Sequence, residues 1–239
     1  MGAKKVKSAK KPLKTTILPQ ETFAEQVKEW VDAHYAYIVG TLALIVFVFL
    51  ATWGVRAYQT SRQERAQADY AAIASKLPAD GTQSAWEQLI PDLQKFVADH
   101  KGTSAGLNAQ VTLAKALFQA KRYDESIKIA SDALGKAPEG LGIKPLIRYQ
   151  LAYAYEAAGK QDQAAAEWEN LKTSALPGID REAYWNLGRI YAGKKDYAKA
   201  VEMFEKAAQA QGTYPTSAFI DQALASAKSS MGTGAQAAK

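Results

Sequence analysis

The longest apolar segment of the chain runs from residue 35 to residue 55 and contains no charged side chain. Its sequence is YAYIVGTLALIVFVFLATWGV, and it is bounded by His34 and Arg56. As a helix it would be about 30 Å long, which is the thickness of the hydrocarbon core of a bilayer. Aromatic residues typical of membrane interfaces lie near its two ends, at Trp30, Tyr35, Tyr37, Trp53 and Tyr58. The pattern therefore predicts a single transmembrane helix over 35–55.

The residues before this segment are polar. Residues 1–19 are mainly Lys, Ala and Thr with two prolines, a composition that predicts a disordered, lysine-rich tail. Thr22 and Glu25 then have the spacing of a helix capping box. Apolar residues follow on one helical face at Phe23, Val27, Trp30 and Val31. We therefore predict an interfacial amphipathic helix over 20–34.

The residues after the segment contain no helix breaker before Pro78, so the helix is predicted to continue as a stalk. Pro91 is suited to the first turn of another helix. The inward-facing residues of that helix would be Leu93, Phe96 and Val97. We assign the stalk and a degenerate helix pair to 56–104. At the other end of the chain, 229–239 is small and polar and predicts a flexible tail.

The region between these parts, 105–228, repeats itself. Its clearest copy has apolar and small residues at Tyr184, Leu187, Gly188, Tyr191, Ala200, Phe204 and Ala207. A second copy has them at Leu151, Ala152, Tyr155, Ala164, Trp168 and Leu171. A third has them at Leu113, Ala114, Leu117, Ser126, Ala130 and Ala133. Similar short turns recur at 121–124, 159–162 and 194–197. Three copies in register predict three helical hairpins.

The spacing of these positions resembles the tetratricopeptide repeat, a unit of about 34 residues in which two helices pack as a hairpin. Small residues at Gly188 and Ala200 would allow the two helices to approach closely, and Tyr191 and Phe204 would fill the space around them. About three such units are enough to bury a continuous core. We therefore predict an all-α fold, with one N-terminal transmembrane helix followed by a tetratricopeptide-repeat-like α-solenoid.

Few residues in the sequence suggest catalysis. Cysteine is absent, and the two histidines, His34 and His100, are predicted to lie at the membrane interface and at a helix end. The sequence has no phosphate-binding loop and no nucleophile with a matching base. The net charge of +6 is spread over a mixed surface, and the lysine run has no interleaved aromatic residues, which argues against nucleic acid. We predict no enzyme activity, cofactor, metal or small-molecule substrate.

The inner face of the predicted solenoid is the best candidate for a binding site. Its positions are Asn108, Val111, Thr112, Lys115, Leu146, Tyr149, Gln150, Tyr153, Glu182, Trp185, Asn186 and Arg189. The predicted partner-binding residues among them are Lys115, Tyr149, Gln150, Tyr153, Trp185, Asn186 and Arg189. Aromatic rings among amides and isolated cations suit an extended or partly apolar polypeptide. The alternative is that some of these rings pack against a neighbouring repeat.

The whole arrangement resembles one bacterial family, the ancillary subunit of the SecYEG translocon, which is anchored in the inner membrane by its N-terminus. The resemblance covers about residues 20–210 and is closest in ETFAEQVKEWVDAHYAYIVG, in Trp53–Tyr58 and from Ile90 onwards. It implies a repeat domain in the periplasm, beside the translocon, that associates with periplasmic chaperones. The longer lysine-rich start and the C-terminal tail depart from the family, which leaves the partner set open.

Two charge patterns compete over the orientation of the span. Seven lysines among the first 34 residues favour a cytoplasmic N-terminus, whereas Arg56, Arg62 and Arg65 lie close to the other end. The short lysine-rich tail is the harder segment to translocate, so we predict a single uncleaved span with a cytoplasmic N-terminus. With this orientation, the family resemblance implies an inner-membrane protein with a periplasmic repeat domain. The alternative is a cytosol-facing membrane-anchored scaffold for envelope or organelle assembly. Within the span, Ala36 and Gly40 have the spacing of small residues that allows another helix to pack closely.

Overall fold

The computed structural model describes residues 22–78, 81–140, 142–174 and 176–237, with side chains described up to residue 232. The elements in these ranges are nine α-helices: α1 Phe23–Ala74, α2 Gln83–Asp99, α3 Ser104–Gln119, α4 Tyr123–Lys136, α5 Ile143–Ala157, α6 Gln161–Leu171, α7 Ile179–Gly193, α8 Tyr197–Gln209 and α9 Ser217–Ala237. The chain divides after residue 58 into two units. The predicted all-α class is confirmed. The predicted disordered tail, 1–19, lies outside the described residues.

The described part of the first unit is the N-terminal part of α1. Its start is capped as the sequence predicts, because the backbone N–H and the hydroxyl of Thr22 both donate to a carboxylate oxygen of Glu25, at 2.8 and 3.0 Å. The backbone hydrogen bond is the main reason that the pKa of Glu25 lies below its ordinary value. The cap shows why the helix begins at Phe23.

The apolar segment of α1 is long and apolar enough to cross a bilayer, and α1 is the one such helix in the described part of the chain. Its side chains are exposed, as Leu44 and Phe47 illustrate at 61% and 70%. Its threonine hydroxyl groups bond within the helix: Thr41 donates to the Tyr37 carbonyl at 2.7 Å, and Thr52 donates to that of Phe49 at 2.9 Å. The segment thus presents an apolar surface on which both threonine hydroxyls are already satisfied.

The second unit contains three helical hairpins, α3–α4, α5–α6 and α7–α8, where the sequence repeats predict them. Their facing sides bury apolar residues, among them Leu113, Leu151, Trp168, Leu187 and Phe204. The predicted close approach at Gly188 is confirmed, because a Cβ atom there would lie 2.5 Å from the ring of Phe204. Tyr155 and Tyr191 are partly buried against the same cores.

The turns inside the three hairpins share one backbone geometry. A residue with positive φ ends each first helix: Lys121 at 61°, Gly159 at 74° and Lys195 at 62°. The N–H of the next residue donates back to a carbonyl near the end of that helix, at 2.8 to 2.9 Å, as in a Schellman motif. Consecutive hairpins are also joined by ion pairs between turns, Lys160 with Asp124 and Lys194 with Asp162.

The last part of α1 packs against α2 and α3. Ala66 is fully buried there, and the hydroxyl groups of Tyr70 and Thr112 lie 2.7 Å apart. The predicted start of a helix at Pro91 is wrong, because α2 begins at Gln83 and Pro91 lies inside it. The earlier start is explained by Trp86, Leu89 and Ile90, which are also buried and extend the apolar face by two turns. Leu93 and Phe96 face inward as predicted.

The helix α9 packs on α8 through Ile220 and Ala227. It continues to Ala237 and so passes through most of 229–239, for which the composition predicts a flexible tail. Gly232 and Gly234 disfavour a helix in this segment, so the helix ends later than local composition suggests.

Candidate functional site

The candidate site lies on the first helices of the second and third hairpins, α5 and α7. Tyr149 and Tyr153 are four residues apart on α5, so both side chains leave the same face of the helix. Glu182 and Asn186 are likewise four residues apart on α7, and Arg189 follows three residues later on the same face. The repeat sequence thus sets two side-chain rows on neighbouring helices.

The two rows meet at Glu182. The hydroxyl groups of Tyr149 and Tyr153 both donate to one carboxylate oxygen, Oε1 of Glu182, and the Tyr149 distance is 3.0 Å. The side chain of Glu182 is buried, with 9% of its surface exposed. We call these three residues, Tyr149, Tyr153 and Glu182, the tyrosine–glutamate cluster.

The aromatic rings of the cluster are held by a buried tryptophan of α6. Trp168 meets Tyr149 and Tyr153 edge to face, with ring centroids 5.7 and 5.1 Å apart, and the two tyrosine rings are 5.0 Å from each other. Edge-to-face packing is favoured by the charge distribution of the rings. Trp168 therefore fixes the positions of both tyrosine rings from the buried side, while each ring remains partly exposed.

Burial also fixes the protonation state of the tyrosines. Burial, and after it the neighbouring carboxylate of Glu182, raises the pKa of Tyr149 to about 12. Burial, followed by the hydrogen bond to Glu182, likewise raises the pKa of Tyr153 well above its ordinary value. Both hydroxyl groups are therefore neutral hydrogen-bond donors at physiological pH.

A second group of polar contacts continues from this cluster along α7. Arg189 donates to the side-chain oxygen of Asn186 at 2.7 Å and lies 3.5 Å from a carboxylate oxygen of Glu156. The other oxygen of Glu156 accepts from the indole N–H of Trp168 at 2.6 Å. The tyrosine–glutamate cluster and these contacts of Glu156 and Arg189 together link α5, α6 and α7 through polar side-chain groups.

Gln150, the residue after Tyr149 on α5, carries an unused donor. Its amide nitrogen, Nε2, is buried and has no hydrogen-bond partner among the described residues. A buried amide without a partner costs about 1–3 kcal/mol, so a ligand that supplies an acceptor would gain from it. Peptide carbonyl groups are acceptors of this kind.

The structure separates the other two predicted site residues from this region. Trp185 packs on Phe204, with ring centroids 5.3 Å apart, and belongs to the core shared by α7, α8 and α9. Lys115 of α3 is exposed, and its ammonium group lies 5.3 Å above the ring of Trp86. The predicted set is therefore divided. Tyr149, Tyr153, Asn186 and Arg189 belong to the contacts between α5, α6 and α7, Gln150 follows Tyr149 on α5, and Lys115 and Trp185 lie elsewhere.

Three residues of this region fall outside the predicted partner-binding set. Glu182 is on the predicted inner face, where an acid is expected to be an ordinary solvated carboxylate. Its role becomes evident only from its contacts with Tyr149 and Tyr153 on α5. Glu156 and Trp168 have repeat positions typical of a surface and of a core, respectively. The signal that could have identified Glu182 is an acid at an inner-face position of one repeat, combined with two tyrosines at inner-face positions of the preceding repeat.

The predicted packing face of the apolar segment is open. Ala36 and Gly40 are both exposed on α1, and a Cβ atom at Gly40 would have no atom within 4 Å. Space is therefore available for another helix to approach that face. The structure brings no described residue against it.

A cleft of about 1020 Å³ lies elsewhere in the second unit, beside the start of α3. Its apolar lining includes Leu107, Ile129 and Ile143. Three polar residues of its lining pair with one another, since Gln110 donates to Asp132 at 2.7 Å and Lys136 also donates to Asp132. The described residues also contain no group of three or more His, Asp or Glu side chains arranged to hold a metal ion.

Solved structures share the repeat fold. Nearly identical TPR-like repeats of a Podosopora anserina protein described as a kinesin light chain are 17% identical, with 73% of this chain and 90% of that chain covered and a TM-score of 0.56. MamA (AMB-1) is 16% identical, with 74% and 84% covered and a TM-score of 0.51. The RS-1 MamA double mutant is 16% identical, with 70% and 96% covered and a TM-score of 0.50.

These identities are low, so the likeness concerns the fold alone. No curated protein sequence matches the chain. A family model does match, over residues 28–231, which include the apolar segment as well as the repeats. The chain therefore belongs to the family of the tetratricopeptide repeat-like domain.

Proposed function

We propose that this protein is a membrane-anchored interaction module. The first helix of each repeat contributes to a surface that binds segments of other proteins. Stacked repeats form extended surfaces that generally bind polypeptide. The observation that supports a specific surface here is the tyrosine–glutamate cluster on α5 and α7. Partly exposed rings and a buried carboxylate converge there, and the same two helices carry the unpaired amide nitrogens of Gln150 and Asn186. Aromatic anchors with polar surroundings are typical of the centres of protein interfaces.

The anchor of this module is the apolar segment, 35–55. Its exposed apolar side chains and internally bonded threonine hydroxyl groups are compatible with lipid, and aromatic rings lie near its two ends, with Trp30 58% and Trp53 63% exposed. The family match includes this segment together with the repeats. Both observations support an anchor that belongs with the repeat domain rather than a segment unrelated to it.

The finer proposal concerns location and partners. We propose an inner-membrane protein with a cytoplasmic N-terminus and a periplasmic repeat domain, an accessory of the Sec export machinery that links the SecYEG translocon to periplasmic chaperones. Its support is the resemblance to the ancillary translocon subunit in residues 20–210. The second candidate is a cytosol-facing scaffold, and the arginines at 56, 62 and 65 beside the apolar segment favour it.

A reporter fused after Lys239 distinguishes the two orientations. Alkaline phosphatase is active only outside the cytoplasm, whereas green fluorescent protein exported through Sec does not fluoresce. Phosphatase activity without fluorescence is expected for the periplasmic orientation. Fluorescence without phosphatase activity would replace it with the cytosol-facing scaffold.

Site-specific photocrosslinking tests the binding surface. A photoreactive residue at Arg189 or Lys115, both exposed on first helices, is expected to crosslink to protein partners in whole cells. The matched controls are Lys128 of α4 and Glu202 of α8, which are exposed on second helices. Equal yields at all four positions would show that the first helices are not the binding surface.

Ala36 and Gly40 allow the proposed contact with a membrane partner to be tested separately. Gly40→Leu fills the open face of α1 and is expected to lower co-purification with the translocon from gently solubilised membranes. Val48→Leu, a change on the same segment at an already large residue, is the control. Unchanged co-purification of the Gly40 variant would exclude this face as the contact.

A further inference from the structure

Glu182 differs from the other partly buried acids of the second unit in its partners. The side chain of Glu167, 16% exposed, forms an ion pair with Arg148 at 2.8 Å. That of Glu156, 14% exposed, lies 3.5 Å from Arg189. Glu182 is as buried as these, yet no cation among the described residues lies within ion-pair distance of it. A buried carboxylate without a cation is costly, so its retention calls for a physical reason.

The basic residues near Glu182 in sequence are engaged elsewhere. Arg181 is buried and donates to the backbone carbonyls of Pro215, at 3.0 Å, and Ala210, at 2.8 Å. Arg189 donates to Asn186. Neither guanidinium group is therefore available to neutralise Glu182.

One oxygen of Glu182 is left for a ligand. Both tyrosine hydroxyl groups donate to the same oxygen, Oε1, and the described residues supply no side-chain donor to the other, Oε2. The tyrosine rings beside it are partly exposed and inclined to each other at 67°. The faces of aromatic rings attract cations, and the attraction is larger where water is partly excluded.

We propose that the tyrosine–glutamate cluster binds a lysine or arginine side chain of an extended polypeptide. The cationic group donates to Oε2 of Glu182, and its alkyl stem lies against the rings of Tyr149 and Tyr153. The two hydroxyl groups hold the carboxylate in place by donating to Oε1. This inference rests on the proposed function, and it assigns the chemistry of one side chain in the bound segment. Charge complementarity selects that side chain over an acidic one.

A positional peptide library tests this assignment. The full chain in a neutral detergent is incubated with pools of octapeptides, each pool having one fixed residue at one position: Lys, Arg, norleucine or Glu. Retained peptides are quantified by mass spectrometry. We expect Lys and Arg to be enriched over norleucine at one position, and Glu to be depleted there.

The decisive variant is Glu182→Gln, which keeps the shape of the side chain and its acceptor oxygen for the tyrosines. It should reduce the enrichment of Lys and Arg about tenfold, as expected for the loss of one charge-assisted hydrogen bond. Glu167→Gln is the matched control, because its carboxylate already has an internal cation, and it should leave the enrichment unchanged. Melting temperatures of both variants establish that each is folded.

The outcomes separate the two proposals. Peptides that bind without any preference for Lys or Arg, or a preference that Glu182→Gln leaves intact, would overturn the cation site while polypeptide binding stands. Absence of binding from every pool would overturn polypeptide binding on this surface, and the cation site with it. If Glu182→Gln does not fold, Tyr149→Phe with Tyr153→Phe replaces it. The loss of both donors frees the carboxylate to move, so the enrichment should fall, and unchanged enrichment would contradict the site.

Discussion

Large apolar side chains have opposite environments in the two units of this protein. In the apolar segment of α1 they are exposed, as Phe47 is at 70%. In α7 and α8 they are buried, with Leu187 at 0% and Phe204 at 2%. The contrast lies in the pattern of residues, since both regions are regular helices. The repeat helices alternate an apolar stripe with a polar face, whereas the segment is apolar all round.

The difference shows which partner each region needs. Small residues such as Gly188 let a second helix of the same chain cover the apolar stripe of α7. The apolar segment has no polar face to leave in water, so a single neighbouring helix would cover only part of it. Lipid covers every face at once, which is why the same side chains stabilise a fold in one unit and suit a membrane in the other.

Charges placed in the apolar segment should have the largest effect. Val46→Arg with Phe47→Arg sets two charges near the centre of the segment, at about 2.5 kcal/mol or more each on insertion scales. We expect the variant to disappear from the carbonate-resistant membrane fraction. Phe219→Arg, at another exposed apolar residue, is the control and should fractionate normally. Recovery of the double variant in membranes at normal yield would rule out a spanning role.

Deletion of a repeat core ring should have the next largest effect. Phe204→Ala removes a buried ring that contacts Trp185 and lies against Gly188, and should lower the free energy of unfolding by about 3–5 kcal/mol. Thermal unfolding followed by circular dichroism measures it. Phe219→Ala, at an exposed ring on α9, should change the melting temperature little. Equal losses in both variants would mean that burial is not what distinguishes these rings.

The fold of the second unit could be predicted from the sequence because its pattern has two independent parts. Small residues at fixed spacing, such as Gly188 and Ala200, require a close neighbour, and the turns at 121–124, 159–162 and 194–197 say where that neighbour begins. The start of α2 could not be predicted in this way. Pro91 gives a local rule for a helix start, but the burial of Trp86 and Leu89 outweighs the hydrogen bond that a proline removes.

The candidate site could be predicted only in part, for a different reason. Tyr149 and Trp185 occupy equivalent repeat positions, yet Tyr149 faces Glu182 while Trp185 packs on Phe204. Periodicity predicts the face of the helix from which a side chain projects, but not the size or the chemical type of the side chain that it contacts on another helix. Glu182 is likewise equivalent to Leu146 and Asn108, so its role depends on two tyrosines from another helix, which a repeat pattern does not encode.

The pH dependence of unfolding should distinguish the site from the rest of the repeat region. Unfolded tyrosines ionise near pH 10, whereas the folded protein keeps Tyr149 protonated up to about 12. Stability from this pair is therefore complete below about pH 10 and is lost as the pH rises towards 12. Melting temperatures at about pH 9 and about pH 11.5 should show a smaller drop for Tyr149→Phe with Tyr153→Phe than for the unaltered protein. Tyr123→Phe is the control. If its melting temperature drops as little as that of the double variant, the pH dependence cannot be assigned to Tyr149 and Tyr153.

The smallest expected effect concerns the turn inside each of the three hairpins. The three turns share one left-handed backbone geometry but place different residues in it. Positive φ angles occur at Lys121, Gly159 and Lys195, and only glycine adopts them without steric cost. Lys195→Gly should therefore stabilise the protein by about 0.5–1 kcal/mol, after the greater entropy that glycine gives the unfolded chain is subtracted. The reciprocal change, Gly159→Lys, places a Cβ in the same geometry and should destabilise it by a similar amount. Thermal unfolding of the two variants should show shifts of opposite sign, because the backbone geometry is shared and only the side chain is exchanged. Shifts of the same sign would mean that contacts of the lysine side chains, rather than the left-handed backbone, determine the stability of these turns.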